Sequence, residues 1–185
     1  VPGFSPEFFA AQYATAGFND AAMLATLQDA MFNPARYAKR VNQADGQDLI
    51  RTSANNLYDD KVTQAEVEAY YASIKDTTDL TPISYGLNTR VAKVDGKVVE
   101  QPYKIGGLYS AAIEKIVENL NKALPFAEND AQKAYIKKLI EFYTTGDLRT
   151  FDEYSIMWAE DTASQVDFIN GFIESYGDPL GMTGS

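Results

Sequence analysis

Cysteine and histidine are both missing from this 185-residue chain. Without cysteine there is no disulfide, no thiolate nucleophile and no zinc site of the finger type. Without histidine, a Ser-His-Asp triad, an imidazole general base and a histidine-ligated catalytic zinc are excluded within these residues. Oxygen-only metal sites stay open, but no Asp/Asn-rich loop with calcium spacing appears, so no metal is expected on this chain. Positive charge is scarce as well: 16 Lys and Arg face 26 Asp and Glu, a formal net charge of -10. Such a surface repels phosphate backbones and anionic headgroups, so neither nucleic acid nor membrane is expected as a partner. No apolar run is long enough to span a bilayer, and no basic-then-apolar signal segment opens the chain. The missing cysteine fits cytoplasm or periplasm, with cytoplasm favoured. Val1 in place of Met, and a last stretch rich in loop formers, read as cut rather than natural ends.

What is present is enough for a packed core. Hydrophobic residues make up 45% of the chain, with 12 Tyr and 10 Phe, which argues against disorder and for one domain of ordinary size. Ser5-Pro6-Glu7 sets a cap residue before a first-turn proline, and Gly17 closes that helix. A second helix is expected from Asn19, with Met23, Leu24, Leu27 and Met31 at helical spacing, and Asn33-Pro34 repeats the device before Tyr37. A further helix is expected over Leu49–Leu57. Thr63-x-x-Glu66 is a capping box leading into the stripe Val67, Tyr70, Tyr71 and Ile74.

After Asp76 the period changes. Asp95-Gly96 lies between Arg90–Val94 and Lys97–Glu100, two β-rich runs, and a two-residue hairpin turn needs the positive φ such residues tolerate. Pro102 and Gly106-Gly107 end the strand region. Ile113, Ile116, Val117, Leu120 and Leu124 form the next helical face, broken by Pro125. Asn129-Asp130 caps a helix carrying Ile136, Leu139, Ile140 and Tyr143, closed by Gly146, and Thr150-x-x-Glu153 predicts another start before Tyr154, Met157 and Trp158. The chain thus divides into helical residues 1–80, a β-hairpin region over 81–107, helical residues 108–161 and a strand and loop over 162–185. The fold class is α+β, mostly helical with a small antiparallel or mixed sheet.

The last segment differs in kind. Val166–Tyr176 fits strand spacing better than helical spacing, and Gly177-Asp178-Pro179-Leu180-Gly181 reads as a turn. An unpaired carboxylate is costly to bury, so Glu174 either faces water or awaits a cation. Asp167, seven residues earlier, reads as a structural acid at the opposite strand parity.

Phe172-Ile173-Glu174-Ser175-Tyr176-Gly177-Asp178-Pro179 closely resembles the strand-and-turn motif of dipeptidyl peptidase III enzymes, and the chain resembles their bacterial branch most. The likeness extends to Tyr85-Gly86-Leu87-Asn88, Asp95-Gly96-Lys97, Gly106-Gly107-Leu108-Tyr109, Ile113–Val117 and Phe142–Asp147. It covers about Asn55 to Ser185. The resemblance implies a two-lobed zinc exopeptidase, its upper lobe holding zinc through a His-Glu-x-x-Gly-His helix and a later Glu. This chain is similar to lower-lobe sequence preceding that helix, so zinc belongs to the parent protein and the chain alone is expected to be inactive. By the same resemblance Glu174 matches the acid that binds the free N-terminal ammonium of a peptide substrate. Tyr176 matches a tyrosine whose hydroxyl bonds the scissile carbonyl region, a catalytic as well as substrate-binding role. On a strand the two positions share a face. Tyr85 and Asn88 would line the β-core. The expected partners are a peptide with a free N-terminus and the remaining lobe of the same polypeptide. The competing readings are a non-catalytic peptide-binding module and a plain helical structural domain.

Overall fold

A computed structural model describes residues 2–33, 41–42 and 44–184. The chain forms two compact units, Val1–Lys39 and Arg40–Ser185.

In the first unit, helix α1 spans Pro6–Thr15 and α2 spans Ala21–Phe32. Ser5 caps α1 by accepting from the Phe8 N–H, as its position before Pro6 predicts. Asp20, one residue after the expected Asn19, caps α2 through Met23 N–H. Phe4 and Phe9 pack against Phe32, and Gln28 donates to the Pro6 carbonyl at 2.9 Å. The apolar stripe on α2 is half-buried at most, with Met23 exposed. Pro34 and Tyr37 lie outside the described residues.

The second unit opens with turns, then α3 (Gln64–Ile74), strands β1 (Thr89–Val94) and β2 (Lys97–Pro102), α4 (Ser110–Ala123), a 3-10 turn over Leu124–Phe126, α5 (Asp130–Thr145) and α6 (Leu148–Glu160). The capping box at Thr63 and Glu66 forms in full, and Glu66 also meets Lys93 of β1 at 2.6 Å. The strands pair antiparallel from Thr89↔Pro102 to Val94↔Lys97. Asp95 at φ 49° and Gly96 at φ 77° make the turn, the left-handed pair that matches strand twist. On its other edge β1 is bracketed by Leu57–Asp59: Val91 donates to the Leu57 carbonyl and accepts from Asp59, each at 2.9 Å.

Two hydrophobic clusters follow from these elements. The larger joins α4, α5 and α6 around Tyr135, Leu139 and Phe142, all fully buried. The smaller packs α3 and β1 through Val62, Val67, Tyr71, Val91 and Tyr58, with Leu180 and Met182 of the C-terminal segment against it. The observed fold is α+β, mostly helical with, among the described residues, one two-stranded antiparallel sheet. No helix of the described residues is long and apolar enough to cross a membrane.

Three expectations are corrected. Residues 49–57 form turns, not a helix: Asp48 caps a single turn by accepting Arg51 N–H, and Asn55 then accepts from Leu57 and Tyr58 N–H, so the turn is not continued. Helix α6 begins at Leu148 under the Asp147 cap, which receives Thr150 N–H at 2.7 Å, so Thr150 lies in the first turn and Glu153 pairs with Lys138 instead. The strand expected over 166–176 is absent. Glu128 takes the N–H groups of Gln165 and Val166, and Gln132 donates to the Val166 carbonyl, so no ladder forms there.

Candidate functional site

The segment 162–184 is irregular, yet it is tied to the body of the second unit at several points. At its start, Asp167 accepts from the indole N–H of Trp158 at 2.8 Å. Asn170 takes a short hydrogen bond from the Tyr143 hydroxyl. Phe172 then sets its ring among Tyr103, Tyr143 and Phe142, at centroid distances of 5.4, 6.1 and 6.3 Å. An aromatic side chain is the main apolar contribution such a loop can make to a core, and it fixes the backbone on either side.

Beyond Phe172 the chain surfaces. Glu174 and Tyr176 are both exposed, Tyr176 at 80%. The Ser175 carbonyl accepts from Asp178 N–H at 3.0 Å, closing a turn with Tyr176 and Gly177 at its centre. Asp178 then turns inward and is 4% exposed. Its Oδ1 accepts from Leu180 N–H at 2.9 Å. Its Oδ2 accepts from the Tyr58 hydroxyl at 2.8 Å, Met182 N–H at 2.9 Å and Thr183 N–H at 2.7 Å. Burial pushes the Tyr58 phenol well up, and the Asp178 charge adds to the shift. The tail finally docks on the sheet. Thr183 donates to the Thr89 carbonyl, and Gly184 N–H to the Leu87 carbonyl at 2.6 Å.

A groove of about 540 Å³ runs between Pro82, Ile83, Tyr85 and Leu87 on one wall and Ile173, Ser175 and Met182 on the other. A smaller, more apolar recess of about 350 Å³ lies beside it, against Phe151, Trp158, Ile169 and Phe172. Glu174 and Tyr176 alternate with Ile173 and Ser175 and line neither cavity. They share a loop with both ends fixed, not the hydrogen-bonded strand read from the sequence. Of the two residues expected in the β-core, Tyr85 lines the larger groove. Asn88 is buried at the start of β1 and donates to the Gly146 carbonyl.

Sequence reasoning missed Asp178 and Tyr58. The signal available was an Asp-Pro pair behind a glycine, a common turn signature, with nothing to name a partner 120 positions earlier. Among the described residues no three His, Cys, Asp or Glu side chains converge as metal ligands. His and Cys, the commonest zinc ligands, are missing from the sequence as well.

The family to which these residues belong is shown by a sequence match that covers the whole second unit. A sequence model described as Peptidase family M49 matches residues 37–185, and the chain belongs to that family. It is 28% identical over 153 residues to dipeptidyl peptidase 3 of Dictyostelium discoideum, covering 70% of this chain and 21% of that protein. It is 37% identical over 78 residues to human dipeptidyl peptidase 3, covering 42% of this chain and 11% of that one. The chain thus spans about a fifth or less of the length of these relatives. Two solved structures share the fold. DPP III from Caldithrix abyssi aligns over 78% of this chain and 27% of its own, with TM-score 0.55 and 20% identity. Dipeptidyl-peptidase III from Corallococcus sp. strain EGB aligns over 70% and 23%, with TM-score 0.52 and 23% identity.

Proposed function

We propose that this chain supplies substrate-binding lower-lobe surface of a zinc-dependent dipeptidyl peptidase, which releases dipeptides from the free N-terminus of peptides. Glu174 is the carboxylate that holds the substrate ammonium, and Tyr176 presents its hydroxyl to the scissile carbonyl region. The observation that carries this reading is the setting of the two side chains. Both are exposed on one short loop, between Phe172 packed in the core and Asp178 held by four hydrogen bonds. An exopeptidase must fix the distance between the ammonium and the reacting bond, so the acid that measures it belongs on a backbone that cannot drift. Zinc in this reading is held by parts of the polypeptide outside these residues, and the chain alone is inactive.

The test is dipeptide release by the full-length polypeptide from a peptide with a free amine and from its acetylated twin. Glu174→Ala should lower kcat/KM for the free amine by about thirty-fold, roughly 2 kcal/mol for an ion pair that loses one partner, with thermal stability nearly unchanged. Tyr176→Phe should lower kcat more than it raises KM, because an oxyanion donor acts chiefly in the transition state. A large loss of melting temperature with unaltered kinetics at Glu174 would overturn the assignment. So would full activity in Glu174→Ala together with loss in Asp167→Asn, the other exposed acid of the segment. No cleavage by a well-folded full-length protein would favour the peptide-binding module instead.

A further inference from the structure

The carboxylate of Asp178 is buried beside apolar groups, and two of its three backbone donors, Met182 and Thr183, meet the same oxygen as the Tyr58 hydroxyl. The backbone donors all come from residues 180–183, so these bonds fold the loop upon itself and reach no other part of the chain. The Tyr58 bond is different. Tyr58 is 6% exposed and belongs to the short segment whose backbone brackets Val91 of β1. Its ring packs with Ile50, Val62, Val67 and Val91, a setting in which a phenylalanine would fill the same space. What the hydroxyl adds is the bond to Asp178, with the Thr183 side chain beside it.

We propose that Tyr58 is a positioning residue for the substrate loop: its bond to Asp178 holds the turn 175–178 against the sheet and so sets where Glu174 and Tyr176 stand. This rests on the reading of those two residues given above. The physical reason is an asymmetry. With the phenol in place, four donors offset the dehydration of the carboxylate. With the phenol removed, the buried carboxylate is one donor short and gains by lifting into water, taking the turn with it. The remaining ties, Phe172 at one end and Leu180, Met182, Thr183 and Gly184 at the other, flank the turn rather than hold its centre.

The experiment uses Tyr58→Phe in the full-length polypeptide, alone and combined with Glu174→Ala. Native-state hydrogen exchange at the amides of Leu180, Met182 and Thr183 should speed up at least ten-fold, while those of β1, β2 and α5 keep their protection. The kcat/KM for a free-amine peptide should fall about ten-fold, mostly through KM. In the Glu174→Ala background the rise in KM should be lost, because a displaced loop cannot misplace an acid that is already gone, and only the smaller kcat cost of moving Tyr176 should remain. Unchanged exchange would overturn the proposal. Faster exchange with unaltered kinetics, or with a fully additive effect on Glu174→Ala, would also overturn it, since Tyr58 would then serve stability only. If Glu174→Ala alone is inert while Tyr58→Phe raises exchange and lowers kcat/KM, the Glu174 reading fails and the positioning of the loop stands. Asp178→Asn, similar in shape but with an amide where Oδ2 accepts three hydrogens, is read in the same way if Tyr58→Phe does not fold.

Discussion

Replacing Phe172 by alanine tests whether the C-terminal segment is part of the folded body. The ring contacts Tyr103, Tyr143 and Phe142 and is half-buried. A fully buried Phe→Ala change costs about 3–5 kcal/mol, and partial burial brings the expectation to about 2–3 kcal/mol. For a unit of this size, with a urea m-value of about 2 kcal/mol/M, the unfolding midpoint should fall by about 1–1.5 M with m unchanged. Trp158 is the one tryptophan of the chain, and it lines the same recess as Phe172, so its fluorescence follows this unit alone. Its emission should also shift red in the folded variant, because the nearby Asp167 that receives its N–H sits on the loosened segment. Phe172→Leu should recover about half of the loss. A midpoint change below about 0.25 M would refute the reasoning, because it would mean that the ring does not pack on α5 in solution.

Two further changes probe the same unit. The ion pair with Lys93, helped by bonds from Thr63, holds the Glu66 carboxyl at about 2, below its ordinary value of 4.5. A depressed folded value stabilises above the unfolded one and is lost as pH falls, so the melting-temperature gap between wild type and Lys93→Met should be full above about pH 5 and close toward pH 2; a gap constant with pH would contradict the pairing. Gly184→Ala would set a Cβ 2.7 Å from the Phe172 backbone carbonyl carbon, so the tail must lift, and limited proteolysis within 173–184 should become several-fold faster. Equal cleavage in both proteins would show that the tail does not close on Phe172.

The parts of the fold legible in the sequence are those decided by neighbours along the chain. Ser5, Thr63 and Asn129 each cap a helix through a residue three positions on, and Asp95-Gly96 needs only its own two dihedrals. Errors arise where two local devices compete. Asp147 and Thr150 are both good caps, three residues apart, and the carboxylate wins while Glu153 finds Lys138 across the helix pair. Over 49–57 the apolar spacing suits a helix, and Asp48 caps one turn of it, but Asn55 diverts the Leu57 and Tyr58 amides that a continuing helix would need.

The candidate site is where local reasoning reaches its limit, and the reason is chemical. Alternation in Val166–Tyr176 suggests a strand, yet a strand needs a partner ladder, and at its start the N–H groups of Gln165 and Val166 and the Val166 carbonyl are met by side chains of Glu128 and Gln132. The segment still keeps Ile173 and Ser175 toward the groove with Glu174 and Tyr176 exposed between and beyond them, so the pattern records facing without recording pairing. What fixes the backbone is a carboxylate at position 178 meeting a phenol at position 58, and no rule of spacing connects them. A loop built in this way can hold functional side chains as firmly as a sheet would, because its fixed points are a buried ring and a fully bonded acid. The exposed acid Glu174 and the buried acid Asp178 thus stand four residues apart on one loop, and the buried one is committed to fixing the backbone that carries the other.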